Sequence, residues 1–220
     1  MIKRIITVIA LLLAAIGAHA QYDAKTQAVI DNIMTRTSVR SFDTKPVEAS
    51  KIETMLRCAM AAPTDRNLQP WHFVVLNTPE ALAAYFGSGE ERKASPQHAH
   101  KPAADGKVQA ERKKKSPPTL VILICGDTTR MQQGVKRELW VQDLSAASEN
   151  LLLAAHALGL GAVWITGYPT GKVDMFRKRL NLPDNLIPLN AIHIGYPDPS
   201  IKLEPKNKWD EKKITYGPWK

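Results

Sequence analysis

Two spacings of apolar residues alternate along the chain and predict its elements. Over residues 24–35, Val29, Ile30, Ile33 and Met34 fall on one side of a helix. Over 48–61, Ile52, Leu56 and Met60 stand four apart, and Ser50 with Glu53 has capping-box spacing, which predicts a second helix. The run WHFVVLN at 71–77 is aromatic and β-branched and reads as a strand. Thr78-Pro79 behind it supplies an N-cap and first residue for another helix. TLVILIC at 119–125 is wholly apolar, a buried strand ended by Gly126-Asp127. The most regular stretch runs from about 133 to 158, where Trp140, Leu144, Ala147, Leu151, Ala154 and Leu158 keep steps of four and three until Gly159. AVWIT (162–166) and IPLNAIHIG (187–195) are two further strands, with the helix GKVDMFRKRL between them. From Tyr196 onward Pro, Lys and Trp follow no period, as in an extended tail. Helices and strands interleaved around an apolar sheet argue for α/β or α+β, and no internal repeat is visible.

Two stretches interrupt this pattern. Lys3 and Arg4, the apolar run Ile5–Ile16 and Ala18-His19-Ala20 form the three parts of a secretory signal peptide, with Gln21 as the expected first mature residue. The apolar run is short for a membrane span, so no stable membrane anchor is expected and the protein is read as periplasmic or secreted. Residues 86–118 are polar, basic and broken by prolines, as expected of a lid or insertion over a compact domain of residues 21–220.

Composition then narrows the function. Removing Lys3 and Arg4 takes the net charge from +9 to +7 (9 − 2), and the basic run Arg112–Lys115 has no interleaved aromatic residue, so nucleic acid is not an expected partner. Two cysteines, Cys58 and Cys125, lie in apolar segments and read as buried free thiols rather than a disulfide framework. Gly159-Leu160-Gly161 runs from helix to strand, the reverse of a dinucleotide turn. There is no Walker A sequence and no G-x-S-x-G elbow, and His98 and His100 have no partner ligands nearby, so no metal is expected. An enzyme lacking a nucleophile and a metal needs a cofactor to carry its reaction.

The stretch TRTSVRSF places Arg36, Ser38 and Arg40 at alternate positions. With β-branched Thr37 and Val39 between them the segment reads as extended, so all three side chains leave one face. Arg36 and Arg40 then start roughly 13 Å apart, too far to clamp one phosphate but able to span a ligand with an anion at one end.

In order along the chain, TRTSVRSFDTKPV, AAPTDRNLQPWHFVVLN, NLLLAAHALGLGAVWITGY, GYP and PKNK resemble the FMN-dependent nitroreductases, from about residue 25 to 209. The resemblance implies an α+β nitroreductase-like fold with a central mixed sheet flanked by helices, as a domain-exchanged homodimer. It implies FMN as cofactor, a reduced nicotinamide or other electron donor, and nitroaromatic, quinone or related small-molecule acceptors. A flavin-binding or storage protein without turnover is the alternative. By the same resemblance Arg36 and Ser38 hold the flavin phosphate, Thr37 between them belongs to the cofactor site, and Arg40 lies beside the pyrimidine end of the ring. Pro63, Thr64 and Asn67 line the ring from the second subunit, with Asp65 where relatives usually carry serine. Trp164, Ile165, Thr166 and Gly167 run beside the ring, with a backbone N–H of Thr166 or Gly167 addressing N5. Lys206 and Lys208 return from the tail to the phosphate.

Overall fold

The computed structural model describes residues 22–87, 115–131, 138–205 and 207–218. The signal-peptide residues, His98, His100, Arg112, Lys206 and most of the expected lid lie outside the described residues. The chain divides into two units, residues 1–34 and 35–220. The first contains most of helix α1 (Ala24–Thr35), the range expected from its apolar spacing. Asp23 caps it, its carboxylate accepting the N–H groups of Lys25 and Thr26.

The second unit holds α2 (Ala49–Met60), β1 (Trp71–Leu76), α3 (Pro79–Phe86), β2 (Leu120–Asp127), α4 (Leu139–Ala157), β3 (Gly161–Thr166), α5 (Lys172–Leu180) and β4 (Leu186–Gly195). The sheet order is β1-β2-β4-β3, antiparallel at each pairing. Its parallel component is the isolated bridge between Ser38 and Ala162 on the β3 edge.

Strand β2 is apolar from Leu120 to Cys125, where both of its faces are covered. Leu120, Ile122 and Ile124, with Ile192 and Ile194 of β4, pack under Met55 and Ala59 of α2 and Leu144, Ala147 and Leu151 of α4. Val121, Leu123, Cys125 and Ala191 point the other way, towards Tyr85 of α3 and Phe176 of α5. Burial pushes the Cys125 thiol up to about 12. Both cysteines are free thiols, Cys125 buried and Cys58 half-buried.

Three expected boundaries shift. Helix α2 starts at Ala49 with Glu48 as its cap residue, so Ser50 lies inside the first turn and no capping box forms. Glu53 instead pairs with Arg57 one turn on, at 2.7 Å. Gly126 and Asp127 stay within β2, paired with Ile187 and Leu186, rather than ending it. The described part of α4 begins at Leu139, and its last turn gives way to Gly159 at φ +75°. The tail from Tyr196 is irregular as expected, apart from a bridge between Phe42 and Pro197 and a short 3-10 turn, Glu211–Lys213.

Candidate functional site

The alternating row of the opening motif runs along the free edge of β3. Ser38 bridges Ala162, and Val39 donates its N–H to the Ala162 carbonyl at 3.0 Å. Val39 is buried whereas Ser38 and Arg40 are exposed, the alternation an extended segment requires. This close approach depends on Gly161, since a Cβ there would come within 2.7 Å of Val39.

The edge also sorts the backbone donors further along. β4 occupies the other side of β3, so the Ala162 carbonyl faces out of the sheet. Backbone groups alternate with a period of two, which turns the N–H groups of Trp164 and Thr166 outward as well. Gly167 faces inward and donates its N–H to the Leu189 carbonyl at 2.8 Å. Of the two backbone donors expected to reach a flavin, Thr166 is therefore the one at the open edge. Gly167 must be glycine, because a Cβ would lie 2.9 Å from that same carbonyl.

Arg36 and Thr37 line a cavity of about 210 Å³ with Thr35, Leu152, His156 and Leu203. The Arg36 side chain is 20% exposed, and its Nε lies 3.3 Å from Glu149 of α4. His156, one helix end further on, shares a 2.9 Å hydrogen bond with Thr35 Oγ1. Burial first, and then the Arg36 charge, hold His156 below the usual histidine range, which favours its neutral form. The cavity is lined mainly by apolar residues, Val39, Leu160, Ala162 and Pro197 among them, and the half-buried Arg36 guanidinium is the charged group that could receive a phosphate there.

A second cavity, about 410 Å³, contains Pro63, Thr64, Asp65, Leu139, Gln142 and Asp143. Its wall is a tight turn in which Arg66, Asn67 and Gln69 all have positive φ, 48°, 56° and 49°. For residues with a Cβ each such conformation costs on the order of 1–2 kcal/mol. Side chains hold the turn in place: Thr64 Oγ1 accepts the Gln69 N–H at 3.2 Å, and Gln69 Nε2 donates to Asn67 Oδ1 at 2.9 Å. From α4, Asp143 Oδ1 accepts the Asp65 N–H at 3.0 Å. Burial raises the Asp143 pKa, opposed by that N–H and reinforced by the Asp65 charge.

Thus the structure gathers Arg36, Thr37 and Ser38 at one place, and Pro63, Thr64 and Asn67 at another. Trp164 and Ile165 are half-buried on β3, Arg40 is exposed, and Lys208 is exposed in the tail. Glu149, His156 and Asp143 were not singled out from sequence. For Asp143 a signal exists: it stands three residues after Trp140 and four before Ala147, a carboxylate on an apolar helix face.

The model of the nitroreductase family matches residues 33–196. A Methanothermobacter thermautotrophicus protein described as an NADH dehydrogenase/NAD(P)H nitroreductase is 32% identical over 83% of this chain and 84% of its own length. A crystal structure from Parabacteroides distasonis, of a protein described in the same terms, is 36% identical, covers 87% of this chain and 99% of that one, and superposes with a TM-score of 0.67. An FMN-dependent nitroreductase of Clostridium difficile is 25% identical over 86% of this chain and 99% of its own, with a TM-score of 0.64.

Proposed function

From the premise that this chain belongs to the nitroreductase family, we propose that it is an exported FMN-dependent oxidoreductase. It takes hydride from a reduced nicotinamide or another donor and delivers it to nitroaromatic, quinone or related acceptors. The observation that carries this reading is the β3 edge, where the segment bearing the half-buried Arg36 meets Ala162 and the outward Thr166 N–H follows four residues further along the same strand edge.

Bound FMN would supply the two-electron chemistry that no side chain here offers. The chain's own residues do the rest. Arg36 would present its terminal guanidinium nitrogens to the phosphate while Glu149 engages Nε, and the exposed Ser38 would add a hydroxyl from the neighbouring position. Thr166 offers a backbone donor, and Arg40 a mobile cation for negative charge developing at the far end of the row. Lys206 and Lys208 add positive charge from the tail.

The spacing of the two cavities supports a homodimer as part of this reading. His156 lines one and Asp143 the other, on the same helix. Thirteen residues at a rise of 1.5 Å separate them by about 20 Å along the axis. That exceeds the reach from a flavin's phosphate to its reacting ring, so the Pro63–Asn67 turn facing a given flavin comes from a second copy. The tail exposes Ile201, Leu203, Trp209, Ile214 and Tyr216, apolar surface suited to lying on that copy. Export rests on the N-terminal sequence, and it admits a donor other than soluble nicotinamide.

Purified protein should be yellow, dimeric by light scattering, and bleached anaerobically by NADH, NADPH or a viologen donor. A colourless protein that takes up no added FMN would overturn the reading; a yellow protein that no donor reduces would make it a flavin store.

A further inference from the structure

The Pro63–Asn67 turn is held in a conformation its residues disfavour, and its anchor lies 78 residues away on α4. We propose that Asp143 is a positioning residue for the acceptor wall: by accepting the Asp65 N–H it fixes the turn, places a second carboxylate beside it, and makes the wall discriminate against anionic acceptors. This rests on the proposed role of the turn as the surface facing the flavin.

Three observations support it. Asp143 is 8% exposed, a carboxylate kept inside the helix–turn contact, where its burial carries a cost that the Asp65 N–H offsets. Its Oδ1 meets the N–H at the start of the turn, just before the left-handed residues Arg66 and Asn67. Without that acceptor the Asp65 N–H loses its partner and the turn loses the contact that ties it to α4. Finally, Asp65 and Asp143 line the same cavity, otherwise walled by Pro63, Leu139 and Ala146 and the polar Thr64 and Gln142. Two carboxyl groups in a largely apolar recess repel an anion at short range, with little screening by salt. A neutral aromatic acceptor meets no such penalty.

The test separates the bond from the charge. Asp143→Ala removes both; Asp143→Asn keeps an oxygen that can accept the N–H and removes the charge. Amide hydrogen exchange at Asp65, read by NMR or by mass spectrometry of the turn peptide, needs no flavin. It should accelerate at least ten-fold in Asp143→Ala and stay near wild type in Asp143→Asn. The second readout is the ratio of kcat/KM for nitrobenzene over 4-nitrobenzoate. That ratio should fall several-fold in both variants, through KM for the anion in Asp143→Asn and with a rise of KM for both acceptors in Asp143→Ala. Unchanged exchange at Asp65 in Asp143→Ala would show that this carboxylate does not hold the turn. An unchanged ratio in the Asn variant of a yellow, reducible protein would remove its role in selectivity. A wild-type protein without flavin would instead sink the functional reading and leave the exchange result to decide the anchor. Should Asp143→Ala fail to fold, Asp143→Leu, closer in size and without an acceptor, replaces it in the exchange measurement, and Asp143→Asn still decides the selectivity.

Discussion

The two ends of helix α4 face opposite electrostatic worlds. Towards its C-terminal end His156, with Glu149 at mid-helix, lies beside a guanidinium; near its N-terminal end Asp143 stands beside another carboxylate. The basic end is assembled from neighbours in sequence, with Arg36, Thr37 and Ser38 side by side on an extended edge. The acidic end joins a turn to a helix across 78 residues. On the proposed function the difference teaches a division of labour: the local motif would grip the constant part of a ligand, and the tertiary contact would shape the part that varies.

The largest effect should come from the basic end. Arg36→Ala removes a charge-assisted contact contributing on the order of 1.5–3 kcal/mol. FMN affinity, measured by flavin titration of apoprotein, should fall roughly ten- to hundred-fold. Asp65→Ser should shift the same affinity far less. Equal losses at both ends would erase the distinction.

Gly161→Ala attacks the edge itself. Its Cβ would lie 2.7 Å from Val39, so strand and segment must separate. Overpacking of this kind costs about 1–3 kcal/mol, readable by urea denaturation of the apoprotein. Flavin affinity should drop with it, because Ser38 loses its register against Ala162.

Arg40→Ala probes the far end of the row. A cation there favours reduced, anionic flavin over oxidised, so its loss should lower the two-electron potential by tens of millivolts, with about 30 mV equivalent to about 1.4 kcal/mol. Equilibration with reference dyes measures this. A potential that moves in Arg36→Ala and stays fixed in Arg40→Ala would reverse the orientation given to the ligand.

The smallest effects are in pH dependence, where the two ends should have opposite signs. His156 has its native pKa below the ordinary 6.5. As pH falls through that value the unfolded chain takes up the proton first, so stability is lost until the native pKa is reached. Asp143 has its native pKa above 3.8. There the native state takes up the proton first, so acidification relieves a cost between the raised value and 3.8. Relative to wild type, His156→Gln should lessen the loss of stability below pH 6.5. Asp143→Asn should remove the relief at lower pH. Urea midpoints across this range give both signs, and changes of the same sign would contradict the assignment.

How much of this was legible in advance depends on whether the cause was local. Helix α1 and the strands followed from spacing alone, and Thr78-Pro79 started α3 as its residues demanded, with the Thr78 hydroxyl accepting the Ala81 N–H. The Ser50–Glu53 pattern misled because a better local partner, Arg57, lay one turn away. The row from Arg36 to Arg40 could be read as an anion-facing edge, yet the strand it would lie against was invisible. So was the choice between Thr166 and Gly167, which turns on which side of β3 is taken by β4. Asp143 escaped because its meaning comes from an N–H at the other end of a long loop of chain.

The period-two alternation along β3 has a consequence for anyone who would retool the protein. A combinatorial library spread evenly over residues 161 to 167 would spend many of its members on Gly161 and Gly167, which backbone and side-chain crowding close to substitution. Thr166, exposed and attached through an outward-facing backbone, can change its side chain without losing its N–H. On the proposed function, diversity placed at Thr166, and at Leu139 and Gln142 in the second cavity, would explore new substrates; diversity at the glycines explores misfolding.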